Sequence, residues 1–238
     1  MNFKEKLFHK ASDLQVDLSD IQLNQFELYY KMLIEKNKVM NLTSIIEEDE
    51  VIDKHFIDSM TCKRVININD VDHVIDVGTG AGFPGIPLKI AYPDTEFVLV
   101  DSLKKRIGFL EEVTEKLGLT GIKAIHGRAE DLGRDKKYRD SFDLCLSRAV
   151  ANLNTLTEYC IPFVKVNGFF ISYKSRKGLE EVKNLDNCMK LLDSDIVKID
   201  QFTLSDIESE RVLIKIKKLK ATSKKYPRRA GIPSKDPL

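Results

Sequence analysis

Apolar residues recur every three or four positions between residues 23 and 33. Leu23, Phe26, Tyr30 and Leu33 share one side of a helix predicted from residue 19 to about 39, and Leu28, Tyr29 and Met32 add a second face. Ser19 and Gln22 stand at capping-box spacing at its start. Asn41-Leu-Thr-Ser44 reads as a turn, with Thr43 or Ser44 placed to cap a further helix. That helix begins among Glu47, Glu48 and Glu50, acids suited to a helix amino terminus, and runs through His55, Phe56 and Asp58 towards Val65. Asn67–Asp70 is a polar linker.

From residue 71 the pattern changes. Short apolar runs predict strands at 74–77, 97–100, 122–125, 142–146, 169–173, 196–199 and 211–217. Helical patterns fill the gaps at 86–91, 103–117, 152–164 and 178–192, with a turn or short helix at 127–131. The last two strands have no helix between them and are expected to pair antiparallel. The expected fold class is α/β, a mostly parallel seven-stranded sheet with helices on both faces and a small N-terminal helical extension. The expected division is a helical region at 1–66, the main domain at 67–220 and a basic tail at 221–238. In such a sheet, ligands sit at the carboxyl ends of the strands. The glycine loop after 74–77, Asp101, Gly127–Glu130 and Ser147-Arg148 all fall at those ends, so four loops face one crevice.

The first of these loops carries most of the chemistry. His73–Pro87 reads HVIDVGTGAGFPGIP, an apolar strand that breaks into Gly78, Gly80, Gly82 and Gly85 before a helix begins. Such a turn lets a ligand approach the main chain, and the helix start adds free N–H groups. It suits a dinucleotide or S-adenosyl-methionine, and the G-x-G-x-x-G spacing alone does not choose. The surroundings favour the second. Asp76 places a carboxylate where it can hold a cationic amine, and Pro84 and Pro87 remove donors that a pyrophosphate needs. Asp101 closes the next strand, where a carboxylate can take ribose hydroxyls; it supports a nucleoside without choosing the cofactor.

Composition narrows the classes. With 42% hydrophobic residues the chain has material for a sizeable core. No apolar run approaches a membrane span, and the charged start Met1–Lys6 lacks a signal segment, so a cytoplasmic protein is expected. The four cysteines are scattered, as are four histidines, which argues for reduced thiols and against a zinc site. The net charge of +1 hides an asymmetry: from Arg211 onward ten bases face one acid. A basic end on an acidic body points to a polyanionic partner. The tail is rich in proline, with Pro227, Pro233 and Pro237. It is either a flexible arm or a loop folded back over the crevice.

Several segments together are specific. They are Asn41-Leu-Thr43, His55-Phe-Ile-Asp-Ser59, Asp76 through Gly85, Asp101-Ser with Lys105-Arg106 and Phe109-Leu110, Gly127-Arg-Ala-Glu130, Ser147-Arg-Ala-Val150 and Tyr226-Pro-Arg-Arg-Ala-Gly231. On these the chain resembles the bacterial glucose-inhibited division protein B family, the small-subunit rRNA guanine-N7 methyltransferases. The match spans nearly the whole chain. The aromatic position usual before Asn37 is absent here.

The resemblance implies a Rossmann-like class I methyltransferase fold using S-adenosyl-methionine. It implies methylation of guanine N7 at one position in a loop of 16S rRNA, with the RNA or the small subunit as partner, in a monomeric protein. It implies cofactor contacts at Gly78, Phe83, Ala129, Glu130 and Arg148, beside Asp76, Gly80 and Asp101. Ala129 and Glu130 suit an adenine, and Arg148 suits a carboxylate or a phosphate. The competing readings are structural: Phe83 as core filler, Arg148 in an ion pair, Asp76 as a loop-closing acceptor. Arg228, Arg229, Lys104, Lys105 and Arg106 are candidate RNA contacts. Guanine N7 carries no proton, so no catalytic base is expected, and His126 reads as structural. Two other functions fit the motifs less well: a methyltransferase acting on a non-RNA acceptor, and a non-catalytic ribosome-assembly factor. A nicotinamide dehydrogenase is disfavoured by the prolines.

Overall fold

The computed structural model describes residues 1–148, 150–204 and 209–238. Ala149, within the Ser147–Val150 segment, lies outside the described residues. The chain opens with helix α1 (Phe3–Asp13), which the periodicity reading did not single out. Asn2 and Glu5 close a capping box there, and Phe3, Leu7 and Ala11, four apart, are buried. Helix α2 (Asp20–Met40) starts on the Ser19–Gln22 capping box and stops at Asn41, which is left-handed at φ 47°. The cap expected at Thr43 or Ser44 is not formed. Glu47 precedes α3 (Glu48–Val51) without a side-chain cap. The Thr43 hydroxyl instead accepts from the Ile45 N–H at 3.1 Å, because Asn37 clasps the Thr43 backbone into a closed loop.

The helix then widens to a π-helical stretch, Ile52–Ile57, before α4 (Asp58–Met60) and a 3₁₀ turn at Thr61–Arg64. An added residue per turn rotates the face that follows, and such stretches recur at functional sites. Here the stretch and α4 turn Asp53, His55 and Asp58 inward.

Strands and helices alternate thereafter: β1 (His73–Val77), α5 (Gly85–Ala91), β2 (Glu96–Asp101), α6 (Lys104–Lys116), β3 (Ile122–His126), α7 (Ala129–Leu132), β4 (Phe142–Arg148) and α8 (Leu153–Cys160). Then come β5 (Val164–Ser175), α9 (Gly178–Val182), α10 (Asp186–Leu191), β6 (Ser194–Leu204), β7 (Ser209–Lys218) and α11 (Ile232–Lys235). The seven strands form one sheet in the order β3-β2-β1-β4-β5-β7-β6. The first five pair in parallel, and β7 runs antiparallel to both β5 and β6. This is the expected α/β fold, with the antiparallel hairpin at its end.

Among the later elements, β6 is longer than expected, running over Ser194–Leu204, and two others differ further from the sequence reading. β5 begins at Val164 rather than 169, displacing the end of the expected helix. Asn167 takes φ 68°, and a Cβ on Gly168 would lie 2.7 Å from the Asp143 carbonyl, so the strand bulges through its glycine instead of starting after it. The helix expected at 178–192 is two short ones. Leu179, Val182 and Leu185 are spaced by three, which suits the tightened turns closed by Asn184 and Leu185.

The core lies on both sheet faces. Along β1, Val74 joins the cluster under α2, α5 and α6, while Ile75 and Val77 join the cluster under α8 and α10. The N-terminal helices share the first cluster through Phe26, Tyr29, Leu33 and Phe56. Polar staples add to this. The Gln22 amide donates to the Ile90 carbonyl at 2.7 Å and the Gln25 amide to the Leu117 carbonyl at 2.8 Å, satisfying orphan groups at two helix ends. Tyr29, fully buried, donates to the Ala81 carbonyl in the glycine loop at 2.6 Å. All four cysteines are buried and unpaired. Among the described residues no helix is long and apolar enough to cross a membrane.

The Tyr29 hydroxyl gives a direct test of how the loop is held. Tyr29→Phe leaves a buried carbonyl without its donor and is expected to lower stability by about 1–3 kcal/mol. Urea unfolding checks this: the midpoint falls while the slope stays unchanged.

Candidate functional site

Asp76 anchors the glycine loop. It is fully buried, and its Oδ2 accepts from the Thr79 hydroxyl at 2.6 Å and the Gly85 N–H at 2.9 Å. Its Oδ1 is buried with no partner. Burial pushes this carboxyl up to about 6, against the pull of those two donors and of the Arg148 charge. Gly78 takes φ +73°, and a Cβ there would lie 2.4 Å from Val150 Cγ2. Gly80, at φ +63°, has open space where a Cβ would be, and its N–H donates to Asp101 Oδ2 at 3.0 Å. Asp101 also accepts from the Leu103 N–H at 2.9 Å and from Arg106 at 3.1 Å.

These strand ends surround a cavity of about 380 Å³ lined by Gly78, Asp101, Ala129, Glu130, Val150, Tyr159 and Gly231, among others. Main chain, two carboxylates and an aromatic ring meet there, a donor and acceptor set suited to an adenosine. Glu130 is 6% exposed and accepts from the Gly231 N–H at 3.0 Å through Oε1. Gly231 belongs to the tail, so the tail is folded back over the crevice, the second of its two expected states.

A second cavity, about 590 Å³, adjoins the first at Val150, which lines both. Lys54, Arg148, Lys174, Lys177 and Arg211 line it beside Asp58 and Glu181, five bases against two acids. Asp58 organises it. This carboxylate is 3% exposed, and it accepts from Arg148 at 2.7 Å on one oxygen and from Arg211 at 2.9 Å on the other. His55 completes the wall. Burial, and then the Arg148 charge, hold it down to about 3, so it is neutral. Its Nδ1 accepts from Arg148 at 3.3 Å, which leaves Nε2–H to donate to the Thr43 hydroxyl at 2.8 Å. The imidazole stacks on Phe83 at 4.4 Å.

Comparison with known proteins reads the same way. A family model described as "GidB: rRNA small subunit methyltransferase G" matches residues 22–210. The chain belongs to the rRNA small subunit methyltransferase G family. A relative of that name from Desulforamulus reducens is 50% identical over 228 residues, covering 96% of this chain and 95% of its own. Another from Alkaliphilus oremlandii is 46% identical over 238 residues, the full length of both. Among solved structures, a ribosomal protein L11 methylase from Lactobacillus delbrueckii superposes with a TM-score of 0.52 at 16% identity, over 70% of this chain and 79% of that one. This likeness concerns the fold alone.

Within the family frame, the residues singled out from sequence divide. Gly78, Asp101, Ala129 and Glu130 come together around the first cavity. Gly80 meets it through the Asp101 carboxylate. Phe83 and Arg148 do not line it. Phe83 is 5% exposed, with Tyr29, His55 and Phe56 around its ring and the Arg148 guanidinium 5.1 Å from its centre. Arg148 opens onto the second cavity in its ion pair with Asp58. Arg228, a candidate phosphate contact, is engaged within the chain: its guanidinium is bound to Glu158, which is 0% exposed, and to Asp236. Arg106 is paired with Asp101, whereas Lys104, Lys105 and Arg229 are exposed. His126 meets the Ser102 carbonyl at 3.1 Å and lines neither cavity.

Sequence reasoning left His55, Asp58, Val150 and Arg211 without roles. The His55–Ser59 and Ser147–Val150 segments did stand out as motifs, but nothing local in them points to a shared cavity. Lining neither cavity, Asp72, His73 and Asp143 lie together with donor atoms within 4.8 Å, a grouping that residue spacing did not show.

The cradle at Gly78, which lines the first cavity, and the orphaned Oδ1 of Asp76, which is fully buried and lines neither cavity, fit a cofactor that brings a cationic amine against main chain. A carboxyl whose folded value lies above its unfolded value near 3.9 contributes stability below that value, and loses it as pH rises through about 6. Asp76→Asn removes this loss. Relative to wild type, the variant should gain roughly 3 kcal/mol between pH 4 and pH 7, read by urea unfolding across that window. In the same variant, calorimetric binding of S-adenosyl-homocysteine should weaken more than about tenfold, since the amide brings no negative charge.

Proposed function

We propose that the protein methylates N7 of one guanine in a loop of 16S rRNA, within the RNA or the small subunit, using S-adenosyl-methionine. Family membership supports the rRNA methyltransferase activity. One observation carries the finer reading: the first cavity, of a size to hold an adenosine, and a cationic cavity meet, among the described residues, at Val150, directly over Gly78.

In this reading Asp101 and Glu130 hold the nucleoside, Gly78 and Gly80 admit it to the main chain, and Asp76 faces the cationic amine. When bound, the cofactor supplies an electrophilic methyl group on a sulfonium. Guanine N7 offers a lone pair and no proton, so the chain needs no general base, in keeping with His55, whose two ring nitrogens are both engaged by Arg148 and Thr43. What the residues contribute is alignment and exclusion of water. Val150 covers the junction between the cavities. Arg148 and Arg211, fixed by Asp58, and the exposed Lys177 present positive charge to the RNA backbone. Lys104, Lys105 and Arg229 are candidates for outlying phosphates. N7 faces the deep major groove of A-form RNA, so the target guanine is expected in a loop or out of the stack. We take residues 67–220 as the catalytic unit, 1–66 as the region that completes its acceptor side and 221–238 as a strap, in a monomeric cytoplasmic protein.

Incubation with labelled S-adenosyl-methionine and small-subunit particles, followed by nuclease mapping, should place label at a single 7-methylguanosine. Transfer to no RNA, with cofactor binding intact, would instead indicate a different acceptor. Lys177→Gln should raise the KM for RNA and reduce the salt dependence of RNA binding by about one unit of slope, because one phosphate contact is lost. Its affinity for S-adenosyl-homocysteine should be unchanged.

A further inference from the structure

The tail is basic and proline-rich, yet it is built into the protein. Tyr226 is 4% exposed. Arg139 donates to the carbonyls of Thr222 at 2.6 Å and Tyr226 at 2.8 Å, and Arg134 donates to that of Pro227 at 2.9 Å. The next residue, Arg228, carries the main anchor. Its backbone N–H donates to Glu158 Oε1 at 2.7 Å, and its side chain donates to both Glu158 oxygens at 2.8–3.1 Å. Glu158, on α8, is 0% exposed, so losing this partner would strand a buried carboxylate. Beyond it, the Thr155 hydroxyl donates to the Pro233 carbonyl at 2.9 Å. Between the two anchors the chain turns left-handed at Gly231, φ +83°, and its N–H meets Glu130 in the wall of the first cavity. The tail residues themselves lie beyond residues 22–210, the span of the family model, whereas their partners lie within it.

We propose that residues 226–238 form a working wall of the cofactor pocket, in which the Arg228–Glu158 pair holds the Gly231 N–H against Glu130 and so positions that carboxylate for the cofactor's base. This rests on the reading of the first cavity as the adenosine site. One Glu130 oxygen is engaged by the strap and the Tyr159 hydroxyl lies beside the same carboxylate, so the group is held in orientation while it faces the cavity and can accept from an exocyclic amine. A base with an amine at that position is favoured, and one with a carbonyl there is repelled. Arg228 is thus a positioning residue, acting on the cofactor through Gly231 and Glu130.

The test uses full-length Arg228→Gln and Arg228→Lys, with calorimetric binding of S-adenosyl-homocysteine and of S-inosyl-homocysteine, whose base carries a carbonyl in place of the amine. Arg228→Gln is expected to weaken S-adenosyl-homocysteine about tenfold and to shrink the preference for it over the inosyl analogue, since the carboxylate is no longer held. The KM for RNA should not change, and Arg228→Lys should restore part of the preference. A folded Arg228→Gln with unchanged cofactor affinity overturns the proposal, as does a rise in the KM for RNA alone. Should Arg228→Gln not fold, hydrogen exchange on the wild-type protein decides: slowing at the Gly231 amide on adding S-adenosyl-homocysteine supports the strap, and no change overturns it. Glu130→Gln separates the two readings. If it weakens S-adenosyl-homocysteine while Arg228→Gln does not, the adenosine site stands and the strap fails; if neither does, the adenosine reading itself fails.

Discussion

Asp76 sits in the interior one residue before the end of β1, and a single oxygen of its carboxylate receives both the Thr79 hydroxyl and the Gly85 N–H. That pins the two ends of the glycine turn to the strand that leads into it. Gly85 has no room to move away or to carry a side chain: a Cβ would lie 2.2 Å from Leu99 and 3.0 Å from the same carboxylate. With the turn fixed, its other contacts follow. The Ala81 carbonyl meets Tyr29, Phe83 stacks on His55, Gly80 reaches Asp101, and Gly78 passes under Val150. Burial penalises the ionised form of Asp76, and a cation brought to its second oxygen would offset that penalty.

A second buried carboxylate, Asp58, does for the cationic cavity what Asp76 does for the turn. It joins Arg148 from β4 to Arg211 from β7, two elements that are not neighbours in the sheet. One acid between two guanidinium groups leaves a net positive charge, which suits a polyanion and is weakly screened where water is scarce. The first cavity is thus built by the parallel strand ends, and the cationic one by the N-terminal helices together with the antiparallel end of the sheet. Among the described residues, the two share Val150 and the loop beneath it.

The tail shows how charge counting and tertiary pairing part company. Ten bases against one acid from Arg211 onward describe a basic segment correctly. Two of the most conspicuous, Arg211 and Arg228, nonetheless turn inward to Asp58 and Glu158. An arginine next to prolines looks the same in sequence whether it is solvated or paired, because its partner is distant along the chain: Glu158 lies 70 residues from Arg228.

The chain by itself determined the alternation of strands and helices, the antiparallel final pair, the glycine turn and the acids at the strand ends. These depend on short-range physics, namely the periods of apolar residues and the backbone freedom of glycine. It also held, unread, the Asn2–Glu5 capping box of α1. Tertiary structure alone decided which side chains meet. It carried Phe83 and Arg148 to the helical side, made one helix of residues 178–192 into two, and placed Gly231 against a glutamate 101 residues away. Such pairings depend on which charges are shut away from water and on what is then near enough to satisfy them, and no local stretch of sequence contains both partners.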